Sequence, residues 1–312
     1  ILGHESVFQN VSSQNIYQNE SENIANPSIF NIDTVYSSSR HSLFVVDNIE
    51  LSSGFHLDTG IRLNFEDSSS NINFSPSIGL KRDLNNYILR SNFSSNYRSP
   101  SIKELYYDFS QHEPPIYGNP NLKPQRANYF SFSVEKINES LLEFYISHNF
   151  DMIKYVDVDP NENENGDEYL QTDNVDEIVM YGINFSYGKN IFDNIKTKFI
   201  YSFTSAPEEF KENLSGVSEH SINSYITAHI NDYLSIHYAN KYLGEKKLYG
   251  YQLDAYTIEN ISINFNYESI AYFKFGIKNL GNYKDPRASD GSDILATYDP
   301  GKRFILDLTV NF

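Results

Sequence analysis

The sequence predicts an all-β chain, an antiparallel transmembrane β-barrel, on three observations. Apolar and polar residues alternate with a period of two in stretch after stretch. No stretch carries a convincing helical period. The connections between alternating stretches sort into short and long ones. Such alternation puts successive side chains on opposite faces of a strand. A membrane barrel needs that division, with the greasy rows turned to lipid and the opposite rows lining a wet interior.

Taken in order, Ile1 to about Gln9 reads as the tail of a strand, and residues 10 to 37, rich in Ser, Asn and Gln, as a long loop. The run from Arg40 to Leu51 then leads through Ser52, Ser53 and Gly54 into the strand that starts at Phe55. There Leu57, Thr59, Ile61, Leu63 and Phe65 share one face, against Asp58, Gly60, Arg62, Asn64 and Glu66. The contrast recurs with Ile72, Phe74, Pro76, Ile78 and Leu80 against Asn73, Ser75, Ser77, Gly79 and Lys81. It returns around Phe144, Ile226 and Ile263, and finally in Phe304, Leu306, Leu308, Val310 and Phe312. Short links such as Asn85-Asn86, Asn138-Glu139-Ser140 and Asn231-Asp232 separate long ones at 10 to 37, 99 to 124, 157 to 172 and 281 to 300. Short turns on one rim and long loops on the other are how outer-membrane barrels are built. About 14 strands follow, most near the roughly 9–11 residues that a tilted membrane strand needs. An even count places 99 to 124 and 157 to 172 outside the cell, with Phe312 at the periplasmic rim.

Composition narrows the partners. No apolar run approaches the roughly 20 residues of a membrane helix. The mean hydropathy of -0.50 is nearly blind to a barrel, because alternation averages out. With 25 Tyr and 22 Phe against no Trp, the aromatic load suits strands and interfacial girdles. A net charge of -17 argues against nucleic acid, which needs basic stripes. Cysteine is absent, so thiolate metal sites, disulfides and thiol nucleophiles are excluded. The chain shows no Gly-x-Ser-x-Gly elbow and no metalloprotease helix motif, and no enzymatic activity is expected.

The stretch from Tyr97 to Pro124 organises the rest. Its closing prolines, Pro120 and Pro124, lack a backbone donor and argue against a paired strand before Gln125. Arg98, ahead of a Ser-Pro turn, can anchor the loop root on backbone carbonyls or a carboxylate. Tyr97-Arg98-Ser99-Pro100, then Glu104-Leu105-Tyr106, then Gly118-Asn119-Pro120-Asn121-Leu122-Lys123-Pro124 resemble paired motifs of TonB-dependent outer-membrane receptors. Ser99 stands where that family usually has Ala, and Gln125 where Glu is common. Asn279-Leu280-Gly281-Asn282-Tyr283 and Pro300-Gly301-Lys302-Arg303-Phe304 add a second resemblance near the end.

The resemblance implies that residues 1–312 are the C-terminal portion of a barrel of 22 strands whose lumen is plugged. It implies a plug and further strands outside this chain, and through the plug a contact with the energy-transducing TonB complex. It places the protein in the outer membrane of a Gram-negative bacterium, among lipid and lipopolysaccharide. Phe312, a terminal aromatic on an alternating strand, resembles the signal read by the barrel-assembly machinery. The implied function is energy-dependent uptake of a scarce nutrient (ferric siderophore, haem or cobalamin) through capture by outer loops. A passive porin-like channel and a non-transporting surface-binding barrel are the alternatives, separable by saturation and by dependence on the proton-motive force.

Tyr106, Tyr107, His112 and Tyr117 are the candidate ligand contacts, and Tyr97, Arg98, Pro100, Glu104, Leu105, Asn119, Pro120, Leu122 and Pro124 the family motif. In haem-uptake members a histidine between the two boxes is an axial ligand, and imidazole and phenolate both bind iron. The reading from residues alone keeps His112 as a solvated loop histidine, with no resident cofactor and haem or a ferric chelate only as cargo. Asn161, Asn163, Asn165 and Gly166 faintly resemble a calcium loop, but Thr172 stands where that loop needs Glu. Arg62, Lys81, Arg90, Lys274 and Lys278, with Glu66 and Glu143, read as the hydrated lining of a barrel interior.

Overall fold

The computed structural model describes the chain apart from residues 13–34, 68, 159–167, 176, 215, 249–250, 268–269, 285–300 and 311–312. Its main element is a 14-stranded antiparallel sheet. Its strands up to the organising loop are β1 (Leu2–Ser12), β2 (Val35–Glu50), β3 (Phe55–Glu66), β4 (Ser69–Leu84) and β5 (Tyr87–Arg98). After that loop come β8 (Gln125–Lys136), β9 (Ser140–Phe150), β12 (Ile178–Phe192), β13 (Ile195–Ser205) and β14 (His220–His229). The series ends with β15 (Leu234–Leu243), β18 (Tyr256–Tyr267), β19 (Ala271–Lys278) and β20 (Arg303–Val310), each strand lying beside the next in chain order. Nearest-neighbour order of this kind needs no crossover, so every link is a simple hairpin.

The links on one rim stay short because their residues fit tight turns. They comprise 51–54, 85–86, 137–139, 193–194, 230–233 and 268–270. Asn85 and Asn138 take the left-handed conformation, with φ of 48° and 61°, which Asn tolerates better than most residues. Asn231 Oδ1 accepts from the backbone of Tyr233 at 2.9 Å and of Leu234 at 2.8 Å, closing its turn from the side chain. The opposite rim carries the long links, with one exception: β3 and β4 are joined by residues 67–68 alone. The loop expected at 10 to 37 is shorter, since β1 reaches Ser12 and β2 begins at Val35. The body of that loop, most of the loop at 281 to 300, the calcium-like residues 161–166 and Phe312 lie outside the described residues.

Two loops hold more structure than alternation can reveal. Within 99–124 lie a helix, α1 (Ile102–Tyr106), and the two-residue strands β6 (Asp108–Phe109) and β7 (Ile116–Tyr117). The chain is all-β in class, and the five-residue α1 within the loop is too short to show a helical period. The loop at 157 to 172 is the far end of a hairpin, β10 (Met152–Val158) and β11 (Tyr169–Val175), standing beyond β9 and β12. These four pieces form a second sheet in the order β10-β11-β7-β6. A third, β16 (Lys246–Leu248) with β17 (Tyr251–Leu253), occupies the link between β15 and β18.

The chain divides into two compact units. One comprises residues 1–82, 90–131 and 146–179, the other 83–89, 132–145 and 180–312. In the first, the sheet is inverted relative to a water-soluble fold: Val45, Ile61 and Phe74 are each at least half exposed, while Ser42, Asn64 and Asn73 are buried. That inversion is what a lipid-facing sheet requires. Buried apolar side chains sit instead in and beside the loops, at Ile102, Leu105, Leu122 and Ile178. On the buried polar face Arg62 pairs with Glu5 and donates to Ser42 Oγ at 2.8 Å and Asn64 Oδ1 at 2.9 Å. Glu66 accepts from Tyr97 Oη at 2.9 Å and from Ser99.

The second unit repeats the pattern, exposing Phe273, Phe275, Leu306 and Leu308 on the outward rows of β19 and β20. Glu143 accepts from Asn184 Nδ2 at 2.9 Å. Asn279, fully buried with a φ of 53°, closes the root of the last loop. Its side chain accepts from the Tyr283 backbone at 2.8 Å and donates back at 2.7 Å. Tyr283 stacks on Tyr256, ring centroids 4.3 Å apart.

Candidate functional site

The organising loop is held at its root by charge. Arg98, the last residue of β5, donates from Nη1 to both carboxylate oxygens of Glu104, at 3.0 and 2.8 Å, and from Nη2 to Gln125 Oε1 at 3.3 Å. One guanidinium thus ties together the strand that enters the loop, the helix within it and the strand that leaves.

Glu104 also starts the helix. Ser101 Oγ accepts from the Glu104 backbone at 3.2 Å, and Glu104 Oε2 accepts from the Ser101 backbone at 2.8 Å, a reciprocal capping box. Pro100 precedes that cap, where its missing donor costs nothing. Burial pushes the Glu104 carboxyl up, but the donors on Arg98 and Ser101 outweigh it and hold the group below the ordinary carboxylate range. The helix buries Ile102 and Leu105, and its spacing of three puts both on one face.

The second motif box closes on the first. Gly118 donates to the Tyr107 carbonyl at 2.6 Å and Asn119 to the Glu104 carbonyl at 2.9 Å. A Cβ on Gly118 would lie 2.7 Å from the backbone of Leu105, Tyr106 and Tyr107, so only glycine lets the two segments pass. Asn119 Oδ1 accepts from the Asn121 backbone at 2.9 Å, turning the chain so that Leu122 is buried. Pro120 and Pro124 bracket this turn and fix its φ, and β8 begins at Gln125.

The β10–β11 hairpin fastens the assembly from the side. Asn174 accepts from the Lys123 backbone at 2.6 Å and donates to the carbonyls of Lys123 at 2.9 Å and Asp151 at 2.8 Å. Thr172 Oγ1 donates to the Glu104 carbonyl at 2.7 Å, and Asn119 Nδ2 to Asp173 at 3.4 Å. β11 pairs in parallel with β7, Leu170 opposite Ile116 and Gln171 opposite Tyr117.

The four candidate ligand contacts do not converge on one point. Tyr107, Phe109 and His112 form a row, their rings 5.8 and 5.4 Å apart, with Lys103 Nζ 4.5 Å over the Tyr107 ring. Tyr117 packs edge-on to Tyr169 at 5.4 Å. Tyr106 turns the other way, its ring 4.1 Å from Tyr36 with the two hydroxyls bonded. His112 is exposed, and its Nδ1 donates to the Pro114 carbonyl at 2.7 Å, which fixes Nε2 as the acceptor nitrogen of the neutral ring. Beside the row, on β10, burial pushes the Tyr155 hydroxyl up, reinforced by Tyr107 and Glu104, and burial pushes the Lys154 ammonium down.

Such a surface offers ring faces, hydroxyls and a cation, which suits an aromatic, anionic ligand. Among the described residues no group of three or more His, Asp or Glu is placed to hold a metal ion. The residues that sequence reading missed are Tyr36, Phe109, Tyr169, Thr172 and Asn174. The helix itself carried a legible signal, Ser101-x-x-Glu104, whereas nothing in the sequence joins the hairpin to the loop.

Known proteins share this architecture. A ferric enterobactin receptor of Pseudomonas aeruginosa is 23% identical over 315 residues, covering 87% of this chain and 42% of its own length. The ferric enterobactin receptor PirA of the same organism is 21% identical over 305 residues, with 87% of the chain and 41% of its own length covered. A crystal structure of the ferric enterobactin receptor PfeA has the same fold, with a TM-score of 0.79 at 20% identity, over 100% of this chain and 51% of that one. The chain therefore spans about half the length of these relatives. The model of the TonB dependent receptor-like, beta-barrel family matches residues 2–282, and the chain belongs to that family.

Proposed function

We propose that this chain is the C-terminal part of an outer-membrane receptor that takes up a ferric siderophore in an energy-dependent way. One observation carries this: both curated relatives named above are ferric enterobactin receptors. On this reading the iron arrives in its own chelate, which the rings and the Lys103 charge of the loop would meet. Haem is the less favoured cargo, because neither curated relative is named for it. The preceding strands, the plug and its contact with the TonB complex belong to the rest of such a receptor, as do insertion by the barrel-assembly machinery and residence among lipopolysaccharide. On this reading Tyr106, Tyr107, His112 and Tyr117 meet the ligand from the outer rim. Arg98, Glu104, Gly118 and Asn119 hold them there.

The test is made on the receptor that carries this chain, in cells lacking their own siderophore receptors. Growth on a ferric catecholate, abolished by loss of TonB, supports the reading. Growth on haem alone, or iron uptake indifferent to the proton-motive force, refutes it. Ferric-catecholate affinity unchanged after Tyr106, Tyr107, His112 and Tyr117 are all replaced by alanine would remove these residues from the site.

A further inference from the structure

The root of the organising loop is held from a second side, by a residue outside the loop. Glu66 is the last residue of β3, and β4 separates β3 from β5 in the sheet. Its carboxylate nevertheless reaches the end of β5. Oε1 accepts from Tyr97 Oη at 2.9 Å, and Oε2 accepts from Ser99 Oγ. Arg98 lies between these two residues and sends its guanidinium to Glu104 and Gln125 instead. Three consecutive residues are thus gripped alternately, the outer two from β3 and the middle one from the loop and β8.

The backbone around Glu66 makes that reach possible. β3 and β4 are joined by residues 67–68 alone, the short link on a rim of long ones. Glu66 therefore stands at a tight turn beside the loop root and not at the foot of a long loop of its own. The register slips beside it, with Asn64 opposite Asn73 but Glu66 opposite Ser69. A bulge of this kind re-aims a side chain away from its regular neighbours. Asp67 then fixes the turn to β2. Its carboxylate accepts from the Ser39 backbone at 3.0 Å and from Ser39 Oγ at 2.5 Å, and its N–H donates to the Ser39 carbonyl at 3.2 Å. A carboxylate carried on so constrained a backbone loses little further freedom in taking two hydroxyls.

We propose that Glu66 is a positioning residue of the loop site. By holding Tyr97 and Ser99 it fixes the backbone that carries Arg98. Through the Arg98–Glu104 bonds it then sets where α1 starts and where the row of Tyr107, Phe109 and His112 stands. This rests on the reading of the loop as the place where the ligand is met, and it gives Glu66 itself no contact with the ligand.

The test uses the whole receptor that carries this chain, in detergent micelles, with hydrogen exchange read by mass spectrometry and ferric enterobactin as the binding probe. Glu66→Ala should raise exchange at Leu105, Gly118 and Asn119 about tenfold, leave the peptides of β9 unchanged, and weaken the probe about tenfold. The double variant Tyr97→Phe, Ser99→Ala should match it. Adding Glu66→Ala to that double variant should change either reading by less than about twofold, because the partners are already gone. Glu66→Gln keeps one acceptor oxygen and should lose about threefold. Glu66→Leu restores bulk without an acceptor and should behave as Glu66→Ala. Should Glu66→Ala not fold, the Gln and Leu variants and the Tyr97→Phe, Ser99→Ala pair make the same comparison.

Unchanged exchange in Glu66→Ala, additive losses in the triple variant, or full recovery in Glu66→Leu each overturn the proposal, the last two by assigning Glu66 to packing alone. Tight probe binding by the wild type that Glu66→Ala does not weaken also overturns it and leaves the siderophore reading in place. The stated exchange pattern in a receptor that does not bind ferric enterobactin supports the positioning role and counts against that reading.

Discussion

Replacing Glu104 by alanine should unfasten the organising loop while leaving the sheet intact. The carboxylate accepts from the Ser101 backbone at 2.8 Å and from Arg98 at 3.0 and 2.8 Å. The capping bond is worth about 1 kcal/mol. The Arg98 side chain is 47% exposed, which puts the ion pair near the exposed end of its range, again about 1 kcal/mol even though Nη1 reaches both carboxylate oxygens. The combined loss of about 2 kcal/mol corresponds to a roughly 30-fold rise in local opening. Hydrogen exchange read by mass spectrometry on the chain in micelles reports it at Leu105, Gly118 and Asn119, whose amides bond to Ser101, Tyr107 and Glu104. The peptides of β4 and β5 should not change. Because the folded carboxyl is held below 4.5, its contribution is full above that pH and lost as the pH falls through the depressed value. Protection of the same amides in the wild type should therefore fade in acid, while Glu104→Gln starts low and stays flat. Exchange within about threefold of wild type in Glu104→Ala would refute the view that this carboxylate is the knot.

Gly118→Ala should be worse for the loop than its size suggests, since the added carbon meets backbone at 2.7 Å; a cost of about 1–3 kcal/mol would show as new proteolytic cleavage within 99–124. Asn174→Ala removes three bonds to Lys123 and Asp151, and should raise exchange in both the loop and the β10–β11 hairpin together, by about 2 kcal/mol. Independent responses of the two segments would show that they are not one body. Ile61→Arg, at a half-exposed position of the greasy face, should lower folding stability in lipid by about 2–4 kcal/mol in urea titrations, with little effect on secondary structure in detergent.

Much of the sheet was legible because a period of two leaves a mark in every strand. Ile61, Phe74 and Leu306 were assigned to lipid from spacing alone, and each is at least half exposed. The turns at Asn85 and Asn138 announced themselves through residues that tolerate positive φ. The loop site was legible only in part. Arg98 could be read as an anchor seeking a carboxylate, and Ser101 with Glu104 spelled a helix start that alternation masks. Its closure on Asn174 and Thr172 was invisible, since those contacts join residues roughly 50 to 70 apart and depend on where the hairpin stands. For the same reason Tyr106 could not be separated from Tyr107: adjacent residues diverge when a helix ends between them, and one turns to Tyr36 while the other joins Phe109.

A loop already stitched to its hairpin by Asn174, Thr172 and Asn119 has little freedom left to surrender when a guest arrives. Docking on it should resemble a hand closing on a fixed rail: a small heat-capacity change, a fast encounter, and affinity set by how quickly the guest leaves. Cutting one stitch would then weaken capture mainly through entropy, at a position that never touches the cargo.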